Sequence, residues 1–146
     1  MTKEEIINSL SRGEEPDIII YRLKYDNCPY VVSYFSDGIS LMFRITHLPD
    51  GRMSRLTSVI NEGIIIIGDI KCVTNNNGYG TVLVNELINY AIENRMKVIK
   101  GWISNVDCDH LDRLVHFYSK FGFEILLASK DEKETLKYAD IILKLA

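Results

Sequence analysis

Two periods of apolar residues alternate along the chain, and they predict the order of its elements. Segments rich in Ile, Val, Tyr and Phe indicate strands at residues 17–25, 30–35, 39–45, 64–73, 98–104, 123–128 and 138–145. Apolar residues at helical spacing indicate helices at residues 3–11, 79–95 and 109–120. Residues 52–62 fit neither period clearly and are interpreted as a loop or a short element.

The order of these segments predicts an α/β fold (α+β mixed) with a mixed sheet of about seven strands flanked by helices. The strand at 64–73, the helix at 79–95 and the strand at 98–104 form a strand–helix–strand unit, which requires a parallel pair and a right-handed crossover. The segments on either side indicate antiparallel hairpins. A length of 146 residues suits a single domain over 1–146.

The helix at 79–95 is predicted to be amphipathic. Its apolar stripe is expected to comprise Val82, Leu83, Leu87, Ile88, Ala91 and Ile92, with Asn85, Glu86, Asn89 and Glu93 on the opposite face. Trp102, in the strand that follows, is expected in the core. Gly68 lies inside a strand and predicts a bulge or a close backbone approach.

Composition and charge indicate an ordinary soluble protein. The chain is 47% hydrophobic and 25% charged, and its net charge of -3 provides no basic field for nucleic acid. Three widely spaced cysteines, Cys28, Cys72 and Cys108, fit a reducing compartment. The N-terminus does not resemble a signal peptide, and no apolar run approaches the roughly 20 residues of a membrane span. We expect a cytoplasmic protein that binds neither membrane nor nucleic acid.

The segment Asn75-Asn76-Asn77-Gly78-Tyr79-Gly80 joins a predicted strand to the best predicted helix. The first amides of a helix have no partner inside it, and the helix dipole adds positive charge there. Glycines let a ligand approach the backbone, so the turn suits a pyrophosphate. A plain Asn/Gly turn is the alternative that this motif leaves open. Neither a Walker loop nor a full dinucleotide fingerprint is present.

Two motifs together resemble the GNAT superfamily of N-acetyltransferases. Asn75, Gly78 and Gly80 match its Gln/Arg-x-x-Gly-x-Gly/Ala turn, with Asn in place of Gln or Arg. Residues Phe117-Tyr118-Ser119-Lys120-Phe121-Gly122-Phe123 match its Phe-Tyr-x-Lys-x-Gly-Phe phrase. The resemblance covers residues 63–146. It implies a GNAT-like sheet, with reduced N-terminal helices because the usual helix pair is not visible in the first half.

This resemblance implies an acetyl-CoA-dependent N-acetyltransferase acting on a primary amine of a small molecule or peptide. The implied cofactor-binding residues are Ile70, Lys71, Cys72, Asn75, Asn76, Asn77, Gly78, Tyr79, Gly80 and Thr81. It assigns Tyr118 as the general acid that protonates the leaving thiolate. Asp69 is the base we select, while Glu62, His110 and an ordered water stay open.

Alternatives remain for most of these residues. Tyr118 could be a core tyrosine, and Asp107-Cys108-Asp109-His110 indicates a capped helix start rather than a metal site, so no metal is expected. Cys72 and Cys108 could be acyl-accepting nucleophiles, but neither has an obvious activating partner. The whole chain could be a non-catalytic acyl-CoA-binding or regulatory domain, or an unrelated nucleotide-binding domain. A strand edge could pair in a homodimer.

Overall fold

The structure is a computed structural model that describes residues 18–20, 30–47, 51–72, 78–104, 111–129 and 137–145. Within these ranges the chain forms eight strands and two helices. Their order is β1 (Ile18–Ile20), β2 (Tyr30–Ser36), β3 (Ser40–His47), β4 (Met53–Asn61), β5 (Ile64–Lys71), α1 (Tyr79–Glu93), β6 (Val98–Ser104), α2 (Leu111–Lys120), β7 (Glu124–Leu127) and β8 (Lys137–Lys144).

The backbone divides into two compact units, and β5 contributes its second half to the first and its first half to the second. Within its described residues, the first unit contains β1 to β4, Gly68–Lys71 of β5, and α1 as far as Tyr90. Its strands follow the order β1-β2-β3-β4-β5, and the pairs from β1 to β4 are antiparallel. Fully buried side chains of β2, β3 and β4 form its core, including Val32, Ile45 and Leu56.

The second unit contains the first half of β5, β6, α2, β7 and β8 among its described residues. Its strand order is β5-β6-β8-β7. Strand β5 pairs with β6 in parallel, with Ile65 opposite Ile99, whereas the β6–β8 and β7–β8 pairs are antiparallel. The predicted mixed α/β sheet is therefore confirmed, and β5-α1-β6 is the predicted strand–helix–strand unit.

Helix α1 lies along β2 in the first unit. The ring of Tyr79 contacts Tyr30 at the start of β2, with centroids 5.9 Å apart. Near the other end of the helix, the ring of Tyr90 packs against Tyr34 and Phe43, with centroids 5.5 and 6.1 Å away. The eleven steps from Tyr79 to Tyr90 rise about 16 Å along the helix, compared with about 13 Å for the four steps from Tyr30 to Tyr34 along the strand.

The predicted faces of α1 are partly wrong. Glu86 was expected on the polar face but is only 4% exposed, and Ile92 was expected in the apolar stripe but is exposed. Leu83, Leu87 and Ala91 are buried as predicted. A seven-residue spacing places Glu86 on the same side as Tyr79, which packs on the sheet, so the helix turns this carboxylate inward.

Strand β4 occupies residues that the sequence left ambiguous. Its side chains alternate between exposed and buried, but Ser54 and Ser58 occupy buried positions. Serines at inward positions hide the period-2 signal. The hydroxyl of Ser58 is satisfied because it donates to the Leu41 carbonyl at 2.8 Å. A two-residue turn, Glu62-Gly63, with φ of 48° and 79°, joins β4 to β5 in the conformation that favours a tight hairpin.

Several other boundaries and placements are settled by the structure. Trp102 was expected in the core but is 53% exposed, because Gly101 and Ile103 point to the buried side of β6. A Cβ at Gly68 would lie 3.4 Å from the Thr57 carbonyl oxygen, at the border of ordinary van der Waals contact. The predicted helix at 3–11 lies outside the described residues. Neither described helix is long and apolar enough to cross a membrane.

Candidate functional site

The glycine turn after β5 is described from Gly78 onward, and Asn75, Asn76 and Asn77 lie outside the described residues. Gly78 has a φ of 77°, a left-handed conformation that disfavours any residue with a Cβ. It is exposed, and among the described residues other than its chain neighbours no atom lies within 4 Å of the place where its Cβ would be. The glycine is therefore required by backbone conformation and leaves open space on its outer side.

Helix α1 begins immediately after this glycine. The Val82 amide donates to the Gly78 carbonyl at 3.1 Å, which closes the first turn. Tyr79 is buried, whereas Gly80 and Thr81 are half-buried. The first turn contains no acidic side chain. The positive end of the helix dipole is consequently not offset by a carboxylate of its own first turn, which favours an anionic ligand.

The pairing of β5 with β6 covers only part of the length of β5 in the described structure. Its parallel ladder with β6 consists of three pairs in the described structure, from Ile64 opposite Val98 to Ile66 opposite Lys100. The strand then continues to Lys71, and Ile70 in this stretch is half-buried. The described pairs between β5 and β6 therefore end at Ile66, before the stretch that contains Asp69 and Lys71.

Asp69 and Lys71 form an exposed ion pair on this stretch of β5. Their side chains approach to 3.8 Å between Lys71 Nζ and Asp69 Oδ2. An exposed pair of this kind contributes little to stability. Asp69 is thus an exposed carboxylate that Lys71 constrains only weakly.

Cys72 follows β5 and is half-buried with a free thiol. Burial raises the pKa of the Cys72 thiol above its ordinary value. A raised pKa keeps the thiol protonated near neutral pH, whereas nucleophilic cysteines have lowered values. Cys72 therefore fits a role in lining the strand better than a role as an acyl acceptor.

The other candidate bases are placed less favourably or are not described. Glu62 lies in the two-residue turn between β4 and β5 and has a positive φ, so its position is explained by the turn. His110 lies outside the described residues, as do Asp107, Cys108 and Asp109. Within the described ranges, no group of three or more His, Cys, Asp or Glu side chains could hold a metal ion.

Tyr118 lies near the end of α2 and is 9% exposed. Its ring packs edge-on against Phe123, with centroids 5.6 Å apart. The Phe123 amide donates to the Tyr118 carbonyl at 3.3 Å, and the Gly122 amide donates to Ser119 at 3.0 Å. Gly122 has a φ of 92°. These features form a Schellman cap, so the aromatic phrase ends the helix and also buries the tyrosine ring.

The candidate residues therefore fall into two groups. Asp69 to Cys72 and Gly78 to Thr81 belong to the first unit, and Tyr118 belongs to the second. Sequence reasoning missed Tyr30, whose ring supports Tyr79. The only available signal was an aromatic residue at the start of a predicted strand, and such a residue does not identify its partner across 49 positions.

Comparison with known proteins establishes the fold. No family model matches the chain. It is 27% identical over 115 residues to the uncharacterized protein YocC of Bacillus subtilis, covering 76% of this chain and 69% of that protein. A GNAT-family acetyltransferase from Staphylococcus aureus superposes with a TM-score of 0.58 at 11% identity, covering 75% of this chain and 71% of the other. The chain has the GNAT fold.

Two further GNAT-fold structures carry names that bear on chemistry. A protein described as an acyl-CoA N-acyltransferase from Klebsiella pneumoniae has a TM-score of 0.60 at 14% identity and 77% coverage of both chains. The N-acetyltransferase PseH of Campylobacter jejuni, in complex with acetyl coenzyme A, has a TM-score of 0.55 at 20% identity. That match covers 75% of this chain and 71% of PseH.

Proposed function

We propose that this protein is a GNAT-superfamily N-acetyltransferase that moves the acetyl group of acetyl-CoA to a primary amine of a small molecule or peptide. The observation that carries the proposal is the start of α1. Left-handed Gly78 precedes a helix whose first turn has no acidic residue, directly after β5 in a GNAT fold. A helix start of this kind suits the diphosphate of CoA.

The donor would be held by two adjacent stretches of chain. Asn75, Asn76, Asn77 and Gly78 to Thr81 would bind the pyrophosphate through backbone amides, and Ile70 to Cys72 would pair with pantetheine beyond the end of the β5–β6 ladder. One β5 amide would polarise the thioester carbonyl and stabilise its developing negative charge. The motif from Phe117 to Phe123 supports the resemblance to the family, but none of its residues is proposed to bind the pyrophosphate or the pantetheine.

The transfer needs a neutral amine and a protonated leaving group. Asp69, directly or through a water, would take a proton from the acceptor ammonium. The nitrogen then attacks the thioester carbon, forms the amide C–N bond and breaks the C–S bond. Tyr118 would give its phenolic proton to the departing thiolate and would regain one from solvent. The products are the acetylated amine and CoA.

A non-catalytic acyl-CoA-binding or regulatory domain is the second candidate. It is favoured by the burial of Tyr118, whose position is already explained by the cap it forms with Phe123. Asn75, where the family has Gln or Arg, points the same way. Under this proposal the donor site is intact and no acetyl transfer occurs.

Calorimetry with acetyl-CoA, CoA and ATP tests the ligand class. We expect CoA and acetyl-CoA to bind and ATP to bind far more weakly, because ATP lacks the pantetheine arm that pairs with β5. Preference for ATP would overturn both candidates. A thiol-release screen over diamines, amino acids and peptide amines then separates them, since only the enzyme releases CoA in proportion to acetylated product.

Two further features of the proposal concern location and assembly. The unpaired thiol of Cys72 and the odd cysteine count support a reducing compartment, and we place the protein in the cytoplasm. Pairing of two copies along a strand edge stays a prediction. The molar mass of the protein in solution, measured by light scattering, decides it.

A further inference from the structure

An aromatic contact joins the start of α1 to β2 in the first unit. Tyr79, the first residue of the helix, is 7% exposed, and Tyr30 at the start of β2 is 5% exposed. Their rings meet edge to face, with centroids 5.9 Å apart and planes at 86°. The quadrupoles of two rings favour this arrangement, so it fixes the orientation of Tyr79 as well as its position.

The residues beside Tyr79 provide little support of their own. Gly78 is exposed with open space around it, and Gly80 and Thr81 are only half-buried. The next buried residue along the helix is Leu83, one turn away. Tyr79 is therefore the buried side chain nearest to the first amides of α1, and its packing helps to set the direction in which they point.

We propose that Tyr30 is a positioning residue for donor binding, acting through Tyr79 on the amides that receive the CoA pyrophosphate. This inference rests on the proposed function. Tyr30 itself touches no ligand in the proposal. It holds the helix start in the orientation in which the amides of Tyr79, Gly80 and Thr81 converge on one phosphate group. Preorganised donors avoid an ordering cost when the ligand arrives.

The other end of the same helix offers a matched control. Tyr34 lies four residues after Tyr30, on the same face of β2, and its ring packs against Tyr90 at 5.5 Å and Phe43 at 5.3 Å. Replacing Tyr34 with Leu removes an aromatic contact between the same helix and the same strand. It does so about 16 Å from the helix start, so it reports loss of packing without loss of positioning.

The test compares the full-length variants Tyr30→Leu, Tyr30→Phe and Tyr34→Leu with the wild type. Calorimetry gives the Kd of CoA, and thiol release with an acceptor amine from the screen gives kcat and the KM of acetyl-CoA. We expect Tyr30→Leu to raise the Kd and the KM about two- to tenfold with kcat within about twofold. Tyr30→Phe, which keeps the ring, restores wild-type values, and Tyr34→Leu leaves the Kd unchanged.

A second measurement separates positioning from donor binding. Amide exchange of Val82, whose hydrogen bond to Gly78 closes the first turn, reports the helix start without any ligand. Faster exchange in Tyr30→Leu than in Tyr34→Leu, at matched loss of global stability, is expected. Equal Kd changes in the two Leu variants, or unchanged Kd in Tyr30→Leu, would overturn the inference while leaving the proposed function standing. If the wild type binds no CoA, the proposed function itself fails, and the inference fails with it whatever the exchange shows.

Discussion

The Met96 amide donates a hydrogen bond to the carbonyl of Ala91 at 2.8 Å, across five residues at the end of α1. The Arg95 amide donates to Ile92 at 3.2 Å inside this loop, and Arg95 has a φ of 56°. This is the same Schellman cap that ends α2, but an arginine occupies the left-handed position that Gly122 occupies there. The two caps therefore predict opposite responses to substitution.

Arg95→Gly is expected to stabilise the protein. The left-handed conformation costs a residue with a Cβ roughly 1–2 kcal/mol. The arginine side chain is exposed, so its contacts are expected to offset little of this cost. We expect the free energy of unfolding, from urea titration, to rise by about 1 kcal/mol after the entropy of the unfolded glycine is deducted. Arg95→Ala keeps the Cβ and is the control, with a change near zero. A loss of stability in Arg95→Gly would contradict the cap.

Gly122→Ala is expected to destabilise the protein. A Cβ at Gly122 meets Leu143 Cδ1 at 3.6 Å, an ordinary contact, so the cost comes from the φ of 92° and not from crowding. The unfolding free energy should fall by about 1–2 kcal/mol. Ser119→Ala, on the exposed side of the same helix turn, should change it by less than about 0.5 kcal/mol. Equal effects of the two substitutions would show that the glycine is not required by backbone conformation.

Tyr118→Phe tests the proposed general acid. The ring packs on Phe123 in both forms, so the cap is kept and only the hydroxyl is lost. We expect kcat for acetyl transfer to fall about a hundredfold, the lower range for loss of a positioned acid, with the Kd of CoA unchanged. The control is Phe117→Leu, which removes a neighbouring ring and keeps the hydroxyl. Unchanged turnover at every pH in Tyr118→Phe would assign the tyrosine to the cap alone.

The sequence predicted the mixed α/β fold because the strand–helix–strand unit and its flanking hairpins have clear periods. It left β4 ambiguous because Ser54 and Ser58 are polar residues at inward positions, and the hydrogen bond of the Ser58 hydroxyl depends on the neighbouring strand. It placed Trp102 inside because hydrophobicity does not reveal which face of a strand is covered. In each case the missing information is a tertiary contact.

The candidate site shows the same division. Gly78 was singled out because glycines let a ligand approach the backbone; its φ of 77° shows that the turn favours a glycine, and its place in the pyrophosphate site stays a prediction. Glu86 and Tyr30 could not be predicted, since burial of a carboxylate or support from a distant ring depends on how α1 lies along β2. The roles of Asp69 and Tyr118 stay predictions that the experiments above address.

Asp37 predicts a pH dependence of stability in the β2–β3 turn. The amides of Ser40 and Ile39 donate to Asp37 Oδ1 at 2.7 and 2.9 Å. These bonds, from Ser40 first and Ile39 second, hold the pKa of the Asp37 carboxyl below its usual value. A lowered folded pKa means that the ionised carboxylate stabilises the folded state above its ordinary pKa, and that this contribution is lost as the pH falls through the lowered value.

The measurement is the difference in unfolding free energy between the wild type and Asp37→Asn. We expect the difference to favour the wild type and to be constant above about pH 5, then to shrink below about pH 4 as the carboxylate is protonated. Other acidic groups titrate in both proteins and cancel in the difference. A difference that stays constant down to pH 2 would show that the turn does not favour the ionised form.

Gly78→Val and Gly38→Val together test the place of the pyrophosphate. Both glycines belong to the first unit and have left-handed φ values of 77° and 90°. In the part of the chain that the structure describes, chain neighbours aside, neither would have an atom within 4 Å of an added Cβ. The backbone strain of the two substitutions is therefore similar, and their unfolding free energies should fall alike. Only Gly78 precedes the amides proposed to bind CoA, and a branched side chain there would turn them away and occupy the approach to them.

We expect Gly78→Val to raise the Kd of CoA by about tenfold to a hundredfold, which corresponds to the loss of one or two hydrogen bonds to a charged group. Gly38→Val should leave the Kd within about twofold of the wild type. Calorimetry at a temperature where both variants are folded gives both values. If Gly78→Val binds CoA as tightly as Gly38→Val does, the pyrophosphate lies elsewhere and the glycine serves only the turn.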